Sequence, residues 1–266
     1  MAVKDALGNR MKSYYENISK TQLIRKTPVA LRIDGKAFHT FTRNLNKPFD
    51  DILMHSMQDT MKYLCANIQG CVFGYTQSDE ITLILIDYQN LNSEAWFDYK
   101  VQKMCSIAAS MATLAFNKAF CKNATEFIDD LMESWNISDD ERKYRDTLRK
   151  CREKGAMFDC RVFNIPKEEV ANLVYWRQVD ATKNSIQMVA RIYFTQKELD
   201  KKNSDQMQEM LWSKYNVNWN NFPTEQKRGS ACIKADRGWT IDHDMPIIRG
   251  DGREYVEKLI YVDKKE

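Results

Sequence analysis

The sequence predicts an α+β fold: a split βαβ, ferredoxin-like unit with an antiparallel sheet and helices on one face. Three observations carry this. From residue 29 the patterns run strand, helix, strand, strand, helix, insert, strand. Two β-prone runs, 71–75 and 81–86, flank the polar turn Gln77-Ser78-Asp79-Glu80, which is a hairpin signal. Glycine (9) and proline (5) are scarce among 266 residues, which favours helices over long loops.

Each element has its own reason. Residues 5–19 space Leu7, Met11, Tyr14, Tyr15 and Ile18 as an amphipathic helix does. The short run 29–33 is β-prone and ends in Asp34-Gly35. Over 50–68 the apolar residues Ile52, Leu53, Met57, Met61, Leu64 and Ile68 recur with a period near 3.6, and Gly70 fits the helix stop. After the hairpin, an Ala-, Met- and Ser-rich stretch predicts a long helix over about 94–120. Residues 124–153 are charged and read as helical or mobile. The run 158–163 is a further strand, stopped by Asn164-Ile165-Pro166. A helical region spans 167–194, one or two shorter helices fall in 195–215, and short strand-like pieces lie near 230–234 and 255–262. The chain divides into residues 1–165, with an N-terminal helix and a helical insert near 121–155, and a helical and short-strand region, 166–266, packed on it.

Composition excludes several classes. With 43% hydrophobic and 29% charged residues the chain is globular rather than disordered. Its apolar runs fall short of the roughly 20 residues that span a bilayer, and no apolar signal segment follows Met1. We expect a cytoplasmic protein with no membrane partner. Seven cysteines, an odd number with no C-x-x-C pair, read as reduced thiols. Three histidines, His39, His55 and His243, with dispersed cysteines do not suggest zinc. The net charge of +3 neither demands nor excludes a nucleic-acid partner.

Two acidic positions carry candidate chemistry: Asp34 at the end of the first strand and Asp79 in the hairpin turn, with Glu80 beside it. In a β-α-β-β unit the first strand neighbours the hairpin, so these ends converge. Converging carboxylates can hold a pair of magnesium ions on the phosphates of a nucleotide; the alternative is two ordinary turns. In Asp34-Gly35-Lys36-Ala37-Phe38-His39, Gly35 permits close backbone approach and the next N–H groups can face phosphate oxygens. No P-loop motif occurs. Lys47 precedes Pro48 in the following loop. Lys100 and Lys103 share a helix face, either as triphosphate-binding charges or as a solvated edge. Over 175–185 aromatic, cationic and amide groups mix, with Arg177, Asp180, Asn184 and Gln187 in one polar stripe. That stripe suits phosphates, ribose hydroxyls and a base, or is an exposed helix face with internal pairs.

Four stretches resemble the tRNA-histidine guanylyltransferase family of 3′-to-5′ polymerases. They are residues 31–39 (Leu-Arg-Ile-Asp-Gly-Lys-Ala-Phe-His), 74–80 (Gly-Tyr-Thr-Gln-Ser-Asp-Glu), 176–180 (Trp-Arg-Gln-Val-Asp) and Lys227-Arg228-Gly229. They span most of the chain in the family's order. The resemblance implies a polymerase palm-type sheet in which Asp34, the Gly35 carbonyl and Asp79 hold two Mg²⁺, with Asp34, Asp79 and Glu80 catalytic. It implies that the 34–39 loop and Ser78 contact the nucleotide, that Lys47, Lys100 and Lys103 handle triphosphate, and that Arg177, Asp180, Asn184 and Arg228 meet RNA in a tRNA-contacting C-terminal region. ATP, GTP and other NTPs would be substrates, tRNA the acceptor, and the assembly a homotetramer.

One departure stands out. Where eukaryotic members follow Trp-Arg-Gln-x-Asp with Cys-His-Ile-Asn-Asn-Leu-Tyr-Asn, this chain has Ala181-Thr182-Lys183-Asn184-Ser185-Ile186-Gln187-Met188. Together with Leu7-Gly8-Asn9-Arg10-Met11-Lys12 it looks like the family's like-protein branch, which implies template-dependent repair of 5′-truncated tRNA. The alternatives are addition of a single G to tRNA-His, a non-catalytic RNA- or nucleotide-binding module, and, against the 176–180 segment, a palm-type nucleotide cyclase.

Overall fold

The computed structural model describes residues 6–90, 92–133 and 136–262. One six-stranded antiparallel sheet organises them, in the order β4-β1-β3-β2-β5-β6. The strands are β1 (Val29–Gly35), β2 (Cys71–Gln77), β3 (Glu80–Leu85), β4 (Phe158–Asn164), β5 (Ser230–Ala235) and β6 (Gly238–Asp242). The helices are α1 (Ala6–Met11), α2 (Phe38–Phe41), α3 (Asp51–Asn67), α4 (Val101–Glu133), α5 (Asp139–Lys154), α6 (Lys167–Tyr193), α7 (Gln196–Leu199), α8 (Ser204–Tyr215), α9 (Thr224–Arg228) and α10 (Glu254–Ile260). The first four strands with α3 and α4 form the split βαβ unit. As read from the sequence, β1 pairs with the hairpin strand β3, in a register that sets Asp34 opposite Glu80.

Alternation along β1 divides the core. Val29, Leu31 and Ile33 face α3, α4 and α5, where they meet Met57, Met61, Leu64 and Phe116. Ala30 and Ile84 face the other way, toward Val170 and Val174 of α6 and Val256 and Ile260 of α10. The split βαβ helices thus take one face, and helices from beyond residue 166 cover the second. That same C-terminal stretch supplies β5 and β6, so it extends the sheet as well as roofing it. A third cluster joins the second half of α6 to α8 through Ile186, Val189 and Leu211.

Local chemistry explains the boundaries. The buried Asp50 carboxylate caps α3 by accepting from the Leu53 amide at 2.8 Å, and also takes the Tyr144 hydroxyl at 2.7 Å. A capping box of Ser138 and Glu141 starts α5. Several expectations need correction. The long helix begins at Val101, not 94, and continues to Glu133, so the insert is the end of α4 followed by α5; residues 134–135 within it lie outside the described residues. By length and composition α4 could cross a bilayer, contrary to the reading of short apolar runs. Every fourth residue from Met104 to Ile128 instead sits in the core. The segment near 255–262 is helix α10, because Val256 and Ile260, four apart, both pack under the sheet. The N-terminal helix shortens to α1 and a π turn over Lys12–Glu16, with Met11, Tyr14 and Tyr15 exposed; its Asp5 lies outside the described residues. All seven cysteines are free thiols.

Candidate active site

Two carboxylates converge where β1 ends and the β2–β3 hairpin turns. The Gly35 amide donates to the Asp79 carbonyl at 3.0 Å, which ties the two-residue turn Ser78-Asp79 to the end of β1. Burial raises the pKa of Asp34, and the nearby Glu80 and Asp159 charges raise it further. Burial also raises that of Asp79; a hydroxyl bond from Ser78 at 3.0 Å opposes this, and the charges of Asp34 and Glu80 reinforce it. Repelling, half-buried carboxylates beside a backbone carbonyl form a hard-oxygen donor set, the kind that Mg²⁺ prefers. The residues present therefore fit the magnesium that the sequence implies.

The backbone around them is tightly held. Ala37 (φ 54°) and Ser78 (φ 51°) adopt left-handed conformations that cost a non-glycine residue roughly 1–2 kcal/mol each. Such strain persists only where surrounding contacts enforce it. Gly35 is required for space: a Cβ there would stand 2.2 Å from the Phe38 ring. That ring cannot retreat, being packed against Phe41, Phe116 and Phe158. Phe38 is accordingly a core side chain, so a nucleotide contact of the kind expected of it falls to its backbone rather than its ring. What the 34–39 loop offers a ligand is its backbone, with Lys36 and His39 exposed.

Across the turn from Asp34 lies a cleft lined by Phe49, Asp50, Met54, Gln77, Ser78, Asn184, Met188 and Gly229, among others. Lys47 is exposed in the loop that leads into it. Lys100 and Lys103 are elsewhere. Lys100 bridges to Gln22 and pairs with Asp98 at 3.1 Å, while Lys103 lies over the Phe97 ring at 4.4 Å. Close by, the adjoining Arg25 binds Asp87, just past the end of β3. That is the opposite end of β1 from Asp34, about 17 Å away along the strand. Within one chain these lysines do not reach the paired carboxylates.

Glu80 and Arg177 also depart from expectation. Glu80 is buried, and both its oxygens are taken: Arg177 Nε donates to Oε1 at 2.6 Å and Arg32 donates to Oε2 at 2.9 Å. Arg177, itself buried, further donates to Asp180 at 2.9 Å. A carboxylate so occupied is a positioning group rather than a catalytic one, and Arg177 does not present itself to RNA. The polar stripe of α6 is therefore half internal. Asn184 is exposed on the cleft wall, and Arg228 stands by Tyr75, whose hydroxyl donates to the Arg228 carbonyl at 2.6 Å.

Sequence reasoning assigned no site role to three residues beside the site, although Trp176 lies in the 175–185 segment that it singled out. Asp159 on β4 lies opposite Asp34, and Arg161 opposite Arg32, both on the face toward α6. The alternation of Asp159 and Arg161 with Phe158, Cys160 and Val162 was the available signal. Trp176 is exposed, with Arg177 and Arg32 over its ring at 4.6 and 5.1 Å.

Comparison with known proteins bears on this geometry. A family model described as Thg1, tRNA-His guanylyltransferase, matches residues 8–166. A probable tRNA(His) guanylyltransferase of Dictyostelium discoideum is 28% identical over 80% of this chain and 77% of its own length. The solved structure of a bacterial tRNA(His) guanylyltransferase (Thg1)-like protein in complex with ATP superposes with a TM-score of 0.82 at 40% identity, covering 97% of this chain and all of that one. A second structure, with GTP, scores 0.76 at 38% identity over 97% of this chain and all of that one. The Saccharomyces cerevisiae enzyme shares the fold, with a TM-score of 0.64 at 22% identity over 86% of this chain and 94% of its own.

Proposed function

Since this chain belongs to the tRNA-His guanylyltransferase family, whose members are nucleotidyltransferases, we propose that it uses ATP or GTP to activate a tRNA 5′ end and extends that end in the 3′-to-5′ direction. The physiological reaction in this reading is template-dependent repair of 5′-truncated tRNA. The observation that carries it is the Gly35–Asp79 bond, which brings Asp34 and Asp79 to one end of the sheet, across the turn from a partly apolar cleft.

Each group then has a task. Asp34, the Gly35 carbonyl and Asp79 would hold two Mg²⁺, which when bound neutralise charge developing on the transferring phosphoryl group. The amides at the start of α2 and the Lys36 and Lys47 ammonium groups meet triphosphate oxygens. Ser78 orients Asp79 through its hydroxyl bond. The apolar cleft wall of Phe49, Met54 and Met188 takes a nucleobase; Asn184 on that wall and Arg228, next in sequence to the lining Gly229, meet the acceptor end of the tRNA. In the first step an oxygen of the RNA 5′-phosphate attacks the α-phosphorus of the activating nucleotide, and pyrophosphate leaves. In the second, the 3′-hydroxyl of an incoming NTP attacks the RNA 5′-phosphorus of that activated end, gives up its proton and displaces the activating nucleotide as its monophosphate. Relatives bearing ATP and GTP support both nucleotides as substrates.

The test is direct. The protein, Mg²⁺, NTPs and a 5′-labelled truncated tRNA are incubated together. Extension at the 5′ end that disappears in Asp34→Ala supports the reading. Nucleotide and tRNA binding without extension would leave a binding module.

A further inference from the structure

We propose that Trp176 is a stacking platform for an unpaired nucleobase at the end of the RNA substrate, with Arg161 facing the phosphate of that nucleotide. This rests on the reading of the chain as a tRNA 5′-end nucleotidyltransferase. Trp176 lies mid-way along α6 and is 50% exposed, whereas Val174, Arg177 and Gln178 around it are buried. A large aromatic left in water beside a catalytic end calls for an occupant. The ring is also held in place. Arg177 and Arg32 lie over it, and both guanidiniums are anchored by Glu80, at 2.6 and 2.9 Å. A platform fixed beforehand loses little freedom when a base stacks on it.

Charge beside the ring completes the case. Arg161 faces the same side from the edge strand β4, opposite Arg32 in the register. Its ion pair is a 3.9 Å contact with Asp159, both side chains being mostly exposed, so the guanidinium remains available to a phosphate. Lys183 is exposed seven residues beyond Trp176, on the same helix stripe and about 10 Å along the axis. Asp34 follows Arg32 by two residues on the same strand face. A base on Trp176 thus has its sugar–phosphate close to the paired carboxylates.

The ring stands on an exposed surface and outside the cleft across the Ser78-Asp79 turn. A strand that continues past the ring fits such a surface better than a free nucleotide does. Stacking accepts any base, which suits an enzyme acting on differing RNA ends, and it requires a base free of its helix.

The experiment titrates labelled RNA into the full chain, without NTP, and follows anisotropy. Two RNAs are compared, a tRNA with its unpaired 3′ end and a blunt acceptor-stem duplex, using wild type, Trp176→Phe, Trp176→Leu and Arg161→Gln. We expect Trp176→Leu to weaken tRNA binding on the order of 10-fold, Trp176→Phe to retain most affinity, and the blunt duplex to show no such difference. Arg161→Gln should weaken binding and lower the salt dependence by about one charge. The affinity for ATP should stay unchanged throughout. Leucine binding tRNA as well as wild type, with an unchanged Tm, would reduce Trp176 to a packing role. Loss of ATP affinity with tRNA affinity intact would make it a nucleotide contact and overturn the proposal. Binding is read without turnover, so the two readings fail separately. A wild type that never extends tRNA but loses tRNA affinity with leucine refutes the transferase reading alone.

Discussion

Arg177 on α6 donates from Nε to Glu80 Oε1 at 2.6 Å, joining a helix to the first residue of β3 across 97 residues of sequence. Both side chains are buried, and Arg32 completes the neutralisation of Glu80. Removing one member of a buried pair leaves an uncompensated charge, at a cost of about 3–5 kcal/mol, whereas replacing both with groups of matching volume is far milder. Arg177→Met should therefore lower stability in urea titrations by about that amount. The double variant Arg177→Met/Glu80→Gln should recover a large part of it. Equal stability of Arg177→Met and wild type would return Arg177 to the surface role that its sequence context suggests.

Asp34 and Asp79 should behave in the opposite way. Their raised pKa values mean that the folded chain binds protons more tightly than the unfolded one, so stability falls as pH rises from the unfolded value through the raised one. At neutral pH and without divalent metal, both charges oppose folding. Asp34→Asn and Asp79→Asn should match or exceed the wild-type Tm in EDTA and lose that advantage as Mg²⁺ is added, while nucleotidyl transfer is abolished in both. A large drop in Tm in EDTA would make these carboxylates structural.

This contrast shows what sequence conveys. The convergence of Asp34 and Asp79 was legible because β-branched runs and a polar turn fix the hairpin, and the split βαβ order then fixes its neighbour. Glu80 differs from Asp79 only by falling on the strand side of the turn, where alternation turns it inward under α6. An arginine in a helix reads as exposed, and its buried acceptor 97 residues away leaves no local trace. Strand β6 buries none of its five residues fully, so no apolar face marks it in the sequence, and it exists because β5 offers it an edge.

Lys100 and Lys103 test the assembly. One chain holds them about 17 Å from Asp34 along β1, so a role in triphosphate handling needs a second protomer, in keeping with the proposed homotetramer. Lys100→Ala/Lys103→Ala and Asp34→Ala proteins, each inactive alone in this reading, should regain activity when their subunits are exchanged and mixed. A Lys100→Ala/Lys103→Ala protein that uses NTP with an unchanged KM would confine both residues to their contacts with Asp98 and Phe97.

Thr182 bears on how the substrate is chosen. Half-buried on α6, it stands where the eukaryotic branch carries histidine, and its carbonyl accepts the Ser185 hydroxyl at 3.0 Å. A threonine hydroxyl can donate or accept a hydrogen bond but cannot carry a proton at neutral pH. In the proposed repair reaction, selection of the added nucleotide falls to Watson–Crick pairing with the opposite strand of the acceptor stem. A mispair would shift the attacking 3′-hydroxyl, and a displacement of about 1 Å can cost on the order of 100-fold in rate. Truncated tRNAs that differ only in the templating base should each receive the complementary nucleotide, whichever of the four it is, and extension should cease at a full-length stem. Addition of G regardless of that base, and to tRNA-His alone, would overturn the repair reading in favour of single-nucleotide addition.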